Sequence, residues 1–358
     1  METRIEKILI APLDWGLGHA TRCIPLIRIF LLQGKEVLVA SSGPALVLLQ
    51  EEFPSLEFIE LPAYDIHYKH DSMALNMVIQ LPKMRSVIMK ESQAVQRIVE
   101  EHNLDLIISD NRYGIHHPDV TSVFIGHQLA IQMPKSMKPF GRLTLKWHTR
   151  MLEPFDQIWV PDFAATPNLS GALSHNVDLK NKLFFIGPLS RFDGLAKGSD
   201  SISLLIILSG QEPQRTELEN IVLSQITDDM QSVVLVRGLP NRSEVMKVEQ
   251  QNLKVYNHLP AQELERLIAD SSIVLCRSGY SSIMDMAAMG KQVLLIPTPG
   301  QTEQEYLANY LSGKGLAFSV LQNELDLSSN LQSVVKCKEL SMVNTNLEEK
   351  LEQALKKL

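Results

Sequence analysis

Short apolar runs recur along the chain, and most lead through a turn rich in glycine, serine or proline into apolar residues at helical spacing. The first run, Lys7 to Leu13, passes through Asp14-Trp15-Gly16-Leu17-Gly18-His19 into a helix predicted over Ala20 to Gln33, where Ile24, Ile27 and Leu31 share one face. Gly34 closes it, and Glu36 to Ala40 makes the second strand. Further strands are predicted at Leu56 to Leu61, Asp105 to Ser109, Val120 to Ile125, Gln157 to Pro161 and Leu183 to Ile186, with helices at Ser42 to Glu51 and Lys83 to His102. After Arg191 to Asp200, rich in Gly, Asp and Ser, the pattern restarts. Strands follow at Ser203 to Leu208, Ser232 to Arg237, Leu253 to Tyr256, Ile273 to Cys276, Val293 to Ile296 and Lys314 to Phe318, with helices at Tyr280 to Met289 and Asn346 to Leu358. Strands apolar along their whole length belong in parallel sheets covered on both faces. The expectation is an α/β chain of two doubly wound domains, residues 1–190 and 201–340, joined by a linker at 191–200 and closed by a helix within 341–358.

Composition narrows the partners. With 45% hydrophobic and 21% charged residues the chain is an ordinary globular protein, and a net charge of −7 argues against a general nucleic-acid binder. Cys23, Cys276 and Cys337 are scattered, with no metal-like or disulfide spacing, which fits a reducing cytoplasm. The start, Met-Glu-Thr-Arg-Ile-Glu-Lys, is not a signal peptide, and no apolar stretch reaches the roughly 18 residues of a membrane span, so any membrane contact is expected to be peripheral.

The stretch from Ser272 to Leu311 concentrates the candidate chemistry. Arg277-Ser278-Gly279 is a tight turn between a buried strand and a helix. A helix N-terminus offers unpaired N–H groups and about half a positive charge, so it receives phosphate well. Gly279 allows close approach of the backbone, Ser278, Ser281 and Ser282 add hydroxyl donors, and Arg277 adds charge. Asp285, about a turn into the helix, suits the diol of a ribose, and Gly300-Gln301-Thr302-Glu303-Gln304 suits sugar hydroxyls. The same residues also fit an ordinary βαβ unit with a serine-rich cap. A second phosphate-sized turn follows the strand at Ser203 to Leu208. There Glu212 is unfavourable beside an anion, so Ser209, Gly210, Gln211 and Arg215 carry the weight.

Gly16-x-Gly18-x-x-Thr21 approaches a dinucleotide fingerprint, but Thr replaces the third Gly or Ala. The next strand also ends in Ser41-Ser42-Gly43 instead of an acidic residue, so NAD is not expected. No P-loop and no isolated Asp-x-Asp pair is present, so neither a cofactor nor a metal is expected. The polar-aromatic loop with Tyr64, His67, Tyr68 and His70 reads as surface. Lys135, Lys138, Arg142, Lys146 and Arg150 recur three or four residues apart beside Met133, Met137, Phe140, Leu143 and Trp147. That stripe fits a solvated basic face, an anionic acceptor or an anionic membrane surface.

Arg277-Ser278-Gly279 through Asp285, Pro297-Thr298-Pro299 and Glu303-Gln304 together resemble the donor-site signature of GT-B glycosyltransferases. Most similar is the family that adds N-acetylglucosamine to the undecaprenyl-linked muramyl-pentapeptide precursor of peptidoglycan. Its ribose-binding Glu is matched here by Asp285, one methylene shorter. Gly16-Leu17-Gly18-His19 with Ile24-Pro25-Leu26 resembles the glycine-rich first loop of the same fold, and Asn257-His258-Leu259-Pro260 its base-reading loop. The resemblance implies two Rossmann-like domains facing a cleft, with the final helix crossing back to the first. It implies a metal-independent inverting transferase of a nucleoside diphosphate sugar, read as UDP-linked, acting on a glycan or lipid-linked acceptor in cell-envelope synthesis. Donor residues would be Ser209, Gly210, Gln211, Arg215, Leu259, Arg277, Ser278, Gly279, Tyr280, Ser281, Asp285, Gln301, Glu303 and Gln304. Gly16, Gly18 and His127 would meet the acceptor. His19 would be the general base, oriented by Asp110, with His127 its rival at another strand end. Gly16 to Arg22 also resembles nucleotide-sugar hydrolases. A UDP-sugar epimerase and a non-catalytic sugar-nucleotide-binding protein remain alternatives.

Overall fold

The computed structural model describes residues 5–64, 73–130, 141–177, 179–192, 194, 198–240, 242, 244, 246–341 and 346–358. The chain divides into two compact units. Unit 1 is Met1–Arg191 with Thr345–Leu358, and unit 2 is Phe192–Asn344.

Unit 1 alternates β1 (Lys7–Pro12), α1 (Leu17–Leu32), β2 (Glu36–Ser41), α2 (Gly43–Glu52), β3 (Glu57–Glu60), α3 (Met73–His102), β4 (Leu106–Asp110), β5 (Thr121–Ile125), α4 (Gly141–Leu152), β6 (Gln157–Val160), α5 (Ala172–His175) and β7 (Leu183–Phe185). Its seven strands are all parallel, in the order β3-β2-β1-β4-β5-β6-β7. The central strands are buried on both faces, which is why they read as unbroken apolar runs. Leu9, Leu38 and Ile107 of the sheet pack with Val95 and Ile98 of α3.

Unit 2 repeats the plan with β8 (Ile202–Ile207), α6 (Gln214–Leu223), β9 (Val233–Val236), β10 (Leu253–Tyr256), α7 (Ala261–Ala269), β11 (Ser271–Cys276), α8 (Tyr280–Ala288), β12 (Gln292–Leu295), α9 (Thr302–Gly313), β13 (Phe318–Ser319) and α10 (Leu327–Val334). Its six parallel strands are ordered β10-β9-β8-β11-β12-β13. Its core gathers Leu204, Ile206, Leu235 and Leu275 of the sheet with Leu218 and Val222 of α6 and Leu327 and Val334 of α10. The last helix, α11 (Leu347–Leu355), is capped by Asn346, whose side chain accepts from Glu349 N at 3.3 Å. It belongs with unit 1, where Gln157 Nε2 donates to Ala354 O at 2.9 Å.

Three expectations change. The last strand is Phe318–Ser319, not Lys314 to Phe318. Leu316 N donates to Leu311 O at 3.0 Å and Gly315 N to Ser312 O at 2.9 Å, a Schellman closure of α9 that takes up the first of those residues. Helix α3 starts at Met73 and passes through Pro82 instead of starting at Lys83. Tyr64 is buried, not surface: its hydroxyl donates to Glu91 Oε2 at 2.9 Å and its N–H to Asp14 Oδ2 at 3.1 Å. His67, Tyr68, His70, Lys135 and Lys138 lie outside the described residues.

Candidate functional site

In open parallel sheets, ligands gather beyond the carboxyl ends of the strands where strand order reverses. That reversal lies between β1 and β4 in unit 1 and between β8 and β11 in unit 2.

Asp110 is the last residue of β4, opposite Pro12, the last of β1, and His19 stands in the first turn of α1. His19 Nδ1 lies 2.8 Å from Asp110 Oδ1. A carboxylate only accepts, so Nδ1 carries the proton and Nε2 keeps its lone pair. Arg22, one turn after His19, reaches the fully buried Asp110 with Nε at 2.6 Å from Oδ2 and with Nη2 on Oδ1. Its Nη2 also approaches His19 Nδ1 to 2.9 Å. Both atoms bear hydrogen, so this is a close approach of charge and not a bond. Arg22 Nη1 lies 3.2 Å from His127 Nδ1. A guanidinium only donates, so Nδ1 of His127 accepts and its proton sits on Nε2. The basic lone pair at Nε2 therefore belongs to His19 and not to His127.

Burial is the largest influence on His19 and lowers its pKa, and the Arg22 charge lowers it further against the opposing pull of Asp110. Burial would raise Asp110. The Arg22 charge and the bonds from Arg22 and His19 outweigh it and hold the carboxyl well below the usual range. The outcome is a neutral imidazole beside an ionised carboxylate. The buried ion pair is Arg22 with Asp110; desolvating it costs several kcal/mol per ion, so its presence is weak evidence for stability. What it fixes is orientation. The His19 side chain keeps 15% of its exposure while Asp110 keeps none. Gly16, with φ +82°, caps α1 just ahead of this pair, and Gly18 lies in the helix's first turn.

Arg22 carries much of this geometry; the sequence offered its place in the Gly16 to Arg22 motif and the i, i+3 spacing from His19, which puts both on one helix face, but not its partners. Arg112 was equally hidden. It is buried, with Nε on Pro12 O at 2.8 Å, Nη1 on Glu91 at 2.9 Å and Nη2 on Ser42 Oγ at 2.9 Å, and so it holds the strand ends around the turn.

The turns of unit 2 are built differently. Arg277 is buried: Nη1 lies 3.3 Å from both Ile296 O and Pro297 O, and Nη2 lies 2.7 Å from Gln214 O and from Gln322 Oε1. Burial pushes its pKa down to about 10. Its Nη groups tie the turn to three other segments, two through backbone carbonyls and one through the Gln322 side chain. Arg215 likewise turns inward, to Glu212 at 2.6 Å and Glu219 at 2.8 Å. Ser278 Oγ donates to Gln304 O at 2.9 Å, while Gln304 Oε1 accepts from Thr298 N at 2.9 Å and its Nε2 donates to Gln301. Tyr280, Asp285 and Leu259 are buried, and Ser281 and Glu303 are half-buried.

Gly279, the N-cap of α8, has φ −69° and ψ 141°, ordinary for any residue, and an added Cβ would meet nothing within 4 Å. Neither backbone nor packing demands glycine there. Gly210 has φ +99°, which its turn requires, and the space beside it is equally open. Ser209, Gly210 and Gln211 therefore form an exposed turn after β8, neighbour to the Gly279 turn after β11.

On α4, Lys146 and Arg150 are exposed. Arg142 lies on the helix, and its side chain is outside the described set. Among the described residues no helix is long and apolar enough to cross a membrane.

Residues 206–358 match the model of the glycosyltransferase family 28 C-terminal domain. An uncharacterized glycosyltransferase of Methanosarcina acetivorans is 22% identical over 331 residues, covering 86% of this chain and 84% of the relative. The UDP-N-acetylglucosamine–N-acetylmuramyl-(pentapeptide) pyrophosphoryl-undecaprenol N-acetylglucosamine transferase of Caldanaerobacter subterraneus is 27% identical over 113 residues, 30% of this chain and 31% of the relative. The crystal structure of the glycotransferase of kitacinnamycin matches with a TM-score of 0.65 at 14% identity, over 99% of this chain and 94% of that one, a likeness of fold. With the two parallel sheets, these similarities make the chain a glycosyltransferase of the GT-B fold, carrying the C-terminal domain of glycosyltransferase family 28.

Proposed function

We propose that the protein is an inverting glycosyltransferase that moves a sugar from a nucleoside diphosphate, read as UDP, to the hydroxyl of a glycan or lipid-linked acceptor. The observation that carries this is the His19–Asp110 pair, held at 2.8 Å beyond the reversal point of the first sheet. His19 Nε2 takes the proton of the acceptor hydroxyl, and Asp110 stabilises the imidazolium that forms. The acceptor oxygen attacks the anomeric carbon opposite the diphosphate, whose C–O bond breaks with the electron pair leaving on the diphosphate. Configuration inverts. The N–H groups at the start of α8 and in the turn at Ser209 and Gly210 receive the negative charge, since N–H groups at a helix start are already aimed outward.

The open space at Gly279 supports close approach of a diphosphate to that backbone. Asp285 is assigned to the ribose and Glu303 to the transferred sugar. Arg277, Arg215, Ser278 and Gln304 hold the turns in shape and do not meet the donor directly. Trp15 and Leu17, 39% and 37% exposed on either side of Gly16, offer an acceptor an apolar surface. UDP is favoured by the named donor of the Caldanaerobacter relative, which is similar over part of the chain.

A thermal-shift screen of nucleotide sugars identifies the donor, since a bound ligand raises the unfolding temperature by mass action. The product's anomeric configuration is then read by NMR. Retained configuration would sink the inverting mechanism. Rapid release of free sugar without any acceptor would replace transfer by hydrolysis.

A further inference from the structure

Below the donor-side turns of unit 2 lies a buried ionic cluster that no motif announces. Glu219, one turn after Arg215 on α6, receives a guanidinium at each oxygen. Arg237 Nε donates to Oε1, and Arg215 Nη1 donates to Oε2 at 2.8 Å. Arg215 Nε also holds Glu212 at 2.6 Å, so two cations face two carboxylates. Arg237 Nη1 continues to Asn257 Oδ1 at 2.9 Å, and Asn257 Nδ2 donates to Arg242 O at 2.9 Å and Glu244 O at 2.7 Å. Arg215, Glu219, Arg237 and Asn257 are all buried.

Burying charge is costly, and replacing a buried ion pair with apolar residues of similar volume is often neutral or stabilising. The bonds do something apolar packing does not: they join loops. Arg215 and Glu219 support the turn after β8, Arg237 opens the loop after β9, and Asn257 opens the loop after β10. The backbone joins them too, through Leu208 N to Val236 O at 2.9 Å, Arg237 N to Tyr256 O at 2.8 Å and Leu239 N to Asn257 O at 2.7 Å. A Cβ on Gly238 would come within 2.3 Å of Leu208 O, so the β9 loop lies directly against the turn after β8. The cluster also restrains Glu212, otherwise exposed at that turn: Arg215 and Thr216 N hold its carboxylate.

We propose that Arg237, acting through Glu219 and Asn257, is a positioning residue for the donor. It locks the turn that meets the diphosphate to the loop that meets the nucleoside, so both are presented in one register. This rests on the assignment of the diphosphate to the turn at Ser209 and Gly210 under Proposed function, and on the resemblance of Asn257-His258-Leu259-Pro260 to a base-reading loop.

The test uses the full chain with Arg237→Lys, Asn257→Ala and the double variant. Lysine keeps the charge but not the fork. UDP affinity is measured by calorimetry, and amide exchange is followed in the ligand-free protein at 209–212 and 257–259. Each single variant weakens UDP binding roughly tenfold, the double variant weakens it no more than the more damaging single, and both loops exchange faster in each variant. If Arg237→Lys does not fold, Asn257→Ala and Asn257→Asp carry the same measurements. Unchanged UDP affinity, additive losses, or faster exchange confined to the mutated loop would overturn the proposal. If the unmodified protein binds no UDP, the donor assignment itself fails and this inference goes with it, an outcome recognised from the unmodified protein alone.

Discussion

The two sheets reverse strand order in the same way, yet their reversal points are furnished differently. Beyond β1 and β4, the polar atoms that can react belong to side chains: His19, Asp110 and Arg22 converge within hydrogen-bond distance of one another. Beyond β8 and β11, the conspicuous side chains turn inward. Arg277 and Ser278 bond to backbone carbonyls, Arg215 bonds to carboxylates, and the outward surface is left to Gly210 and Gly279. Moving a proton needs a group with a tuned pKa, which only a side chain supplies. Holding a diphosphate needs many donors and little bulk, which a glycine turn at a helix start supplies. Under the proposed function, one plan would serve two tasks, by presenting side chains in one unit and backbone in the other.

The comparison breaks first at His19. His19→Ala is expected to lower kcat by about 10²–10⁴-fold, the usual contribution of a general base, with UDP affinity unchanged. Steady-state assays and UDP titration check both halves. A loss of only a few-fold would make His19 a bystander and remove the side-chain half of the contrast.

The second test opposes two residues of a single motif. Gly279→Ala adds a methyl where only a ligand would meet it, so donor KM is expected to rise about tenfold while stability changes by about 0.5 kcal/mol or less. Arg277→Gln should do the reverse. It leaves the buried carbonyls of Ile296 and Pro297 without the guanidinium that donates to them. Stability should fall by about 2–6 kcal/mol in urea unfolding, given about 1–3 kcal/mol for each of the two buried groups left unsatisfied. If Arg277→Gln were as stable as the parent and lost only donor binding, its guanidinium would be a ligand after all.

That contrast marks where sequence stopped being readable. Element positions were legible because apolar runs of a parallel sheet are sharply bounded. Ile273 to Cys276 and Tyr280 to Met289 fall within two residues of β11 and α8. The pairing of His19 with Asp110 was legible because the glycine loop after β1 carries His19 back over the carboxyl end of the sheet, where Asp110 ends β4. The direction of Arg277 was not, since whether a guanidinium meets solvent or four carbonyls depends on where Gln214, Ile296, Pro297 and Gln322 fold, up to 63 residues away. Arg22 was missed for a related reason: its motif position was plain, but its hydrogen-bond partners, Asp110 and His127, come from β4 and the loop after β5. Leu316 and Ala317 misled through composition. They are apolar like a strand, and a helix closure at Gly315 claims the first of them.

The finest test concerns pH, and its sign follows from the groups around His19. The reactive form is the neutral imidazole. Burial first, and then the Arg22 charge, lower its pKa below the ordinary 6.5, while Asp110 raises it. The acidic limb of kcat/KM is therefore expected below pH 6.5, with activity lost as pH falls through that lowered value. Two substitutions should move it in opposite directions. Arg22→Gln removes a cation that disfavours the imidazolium, so the limb moves toward higher pH. Asp110→Asn removes the anion that favours it, so the limb moves lower, and kcat falls as well because Nδ1–H loses the carboxylate that orients it. A pH–rate profile for the three proteins checks the pair of shifts. If both variants moved the limb the same way, or neither moved it, the titrating base would be a group other than His19, and the side-chain chemistry assigned to the first sheet would have to be sought elsewhere.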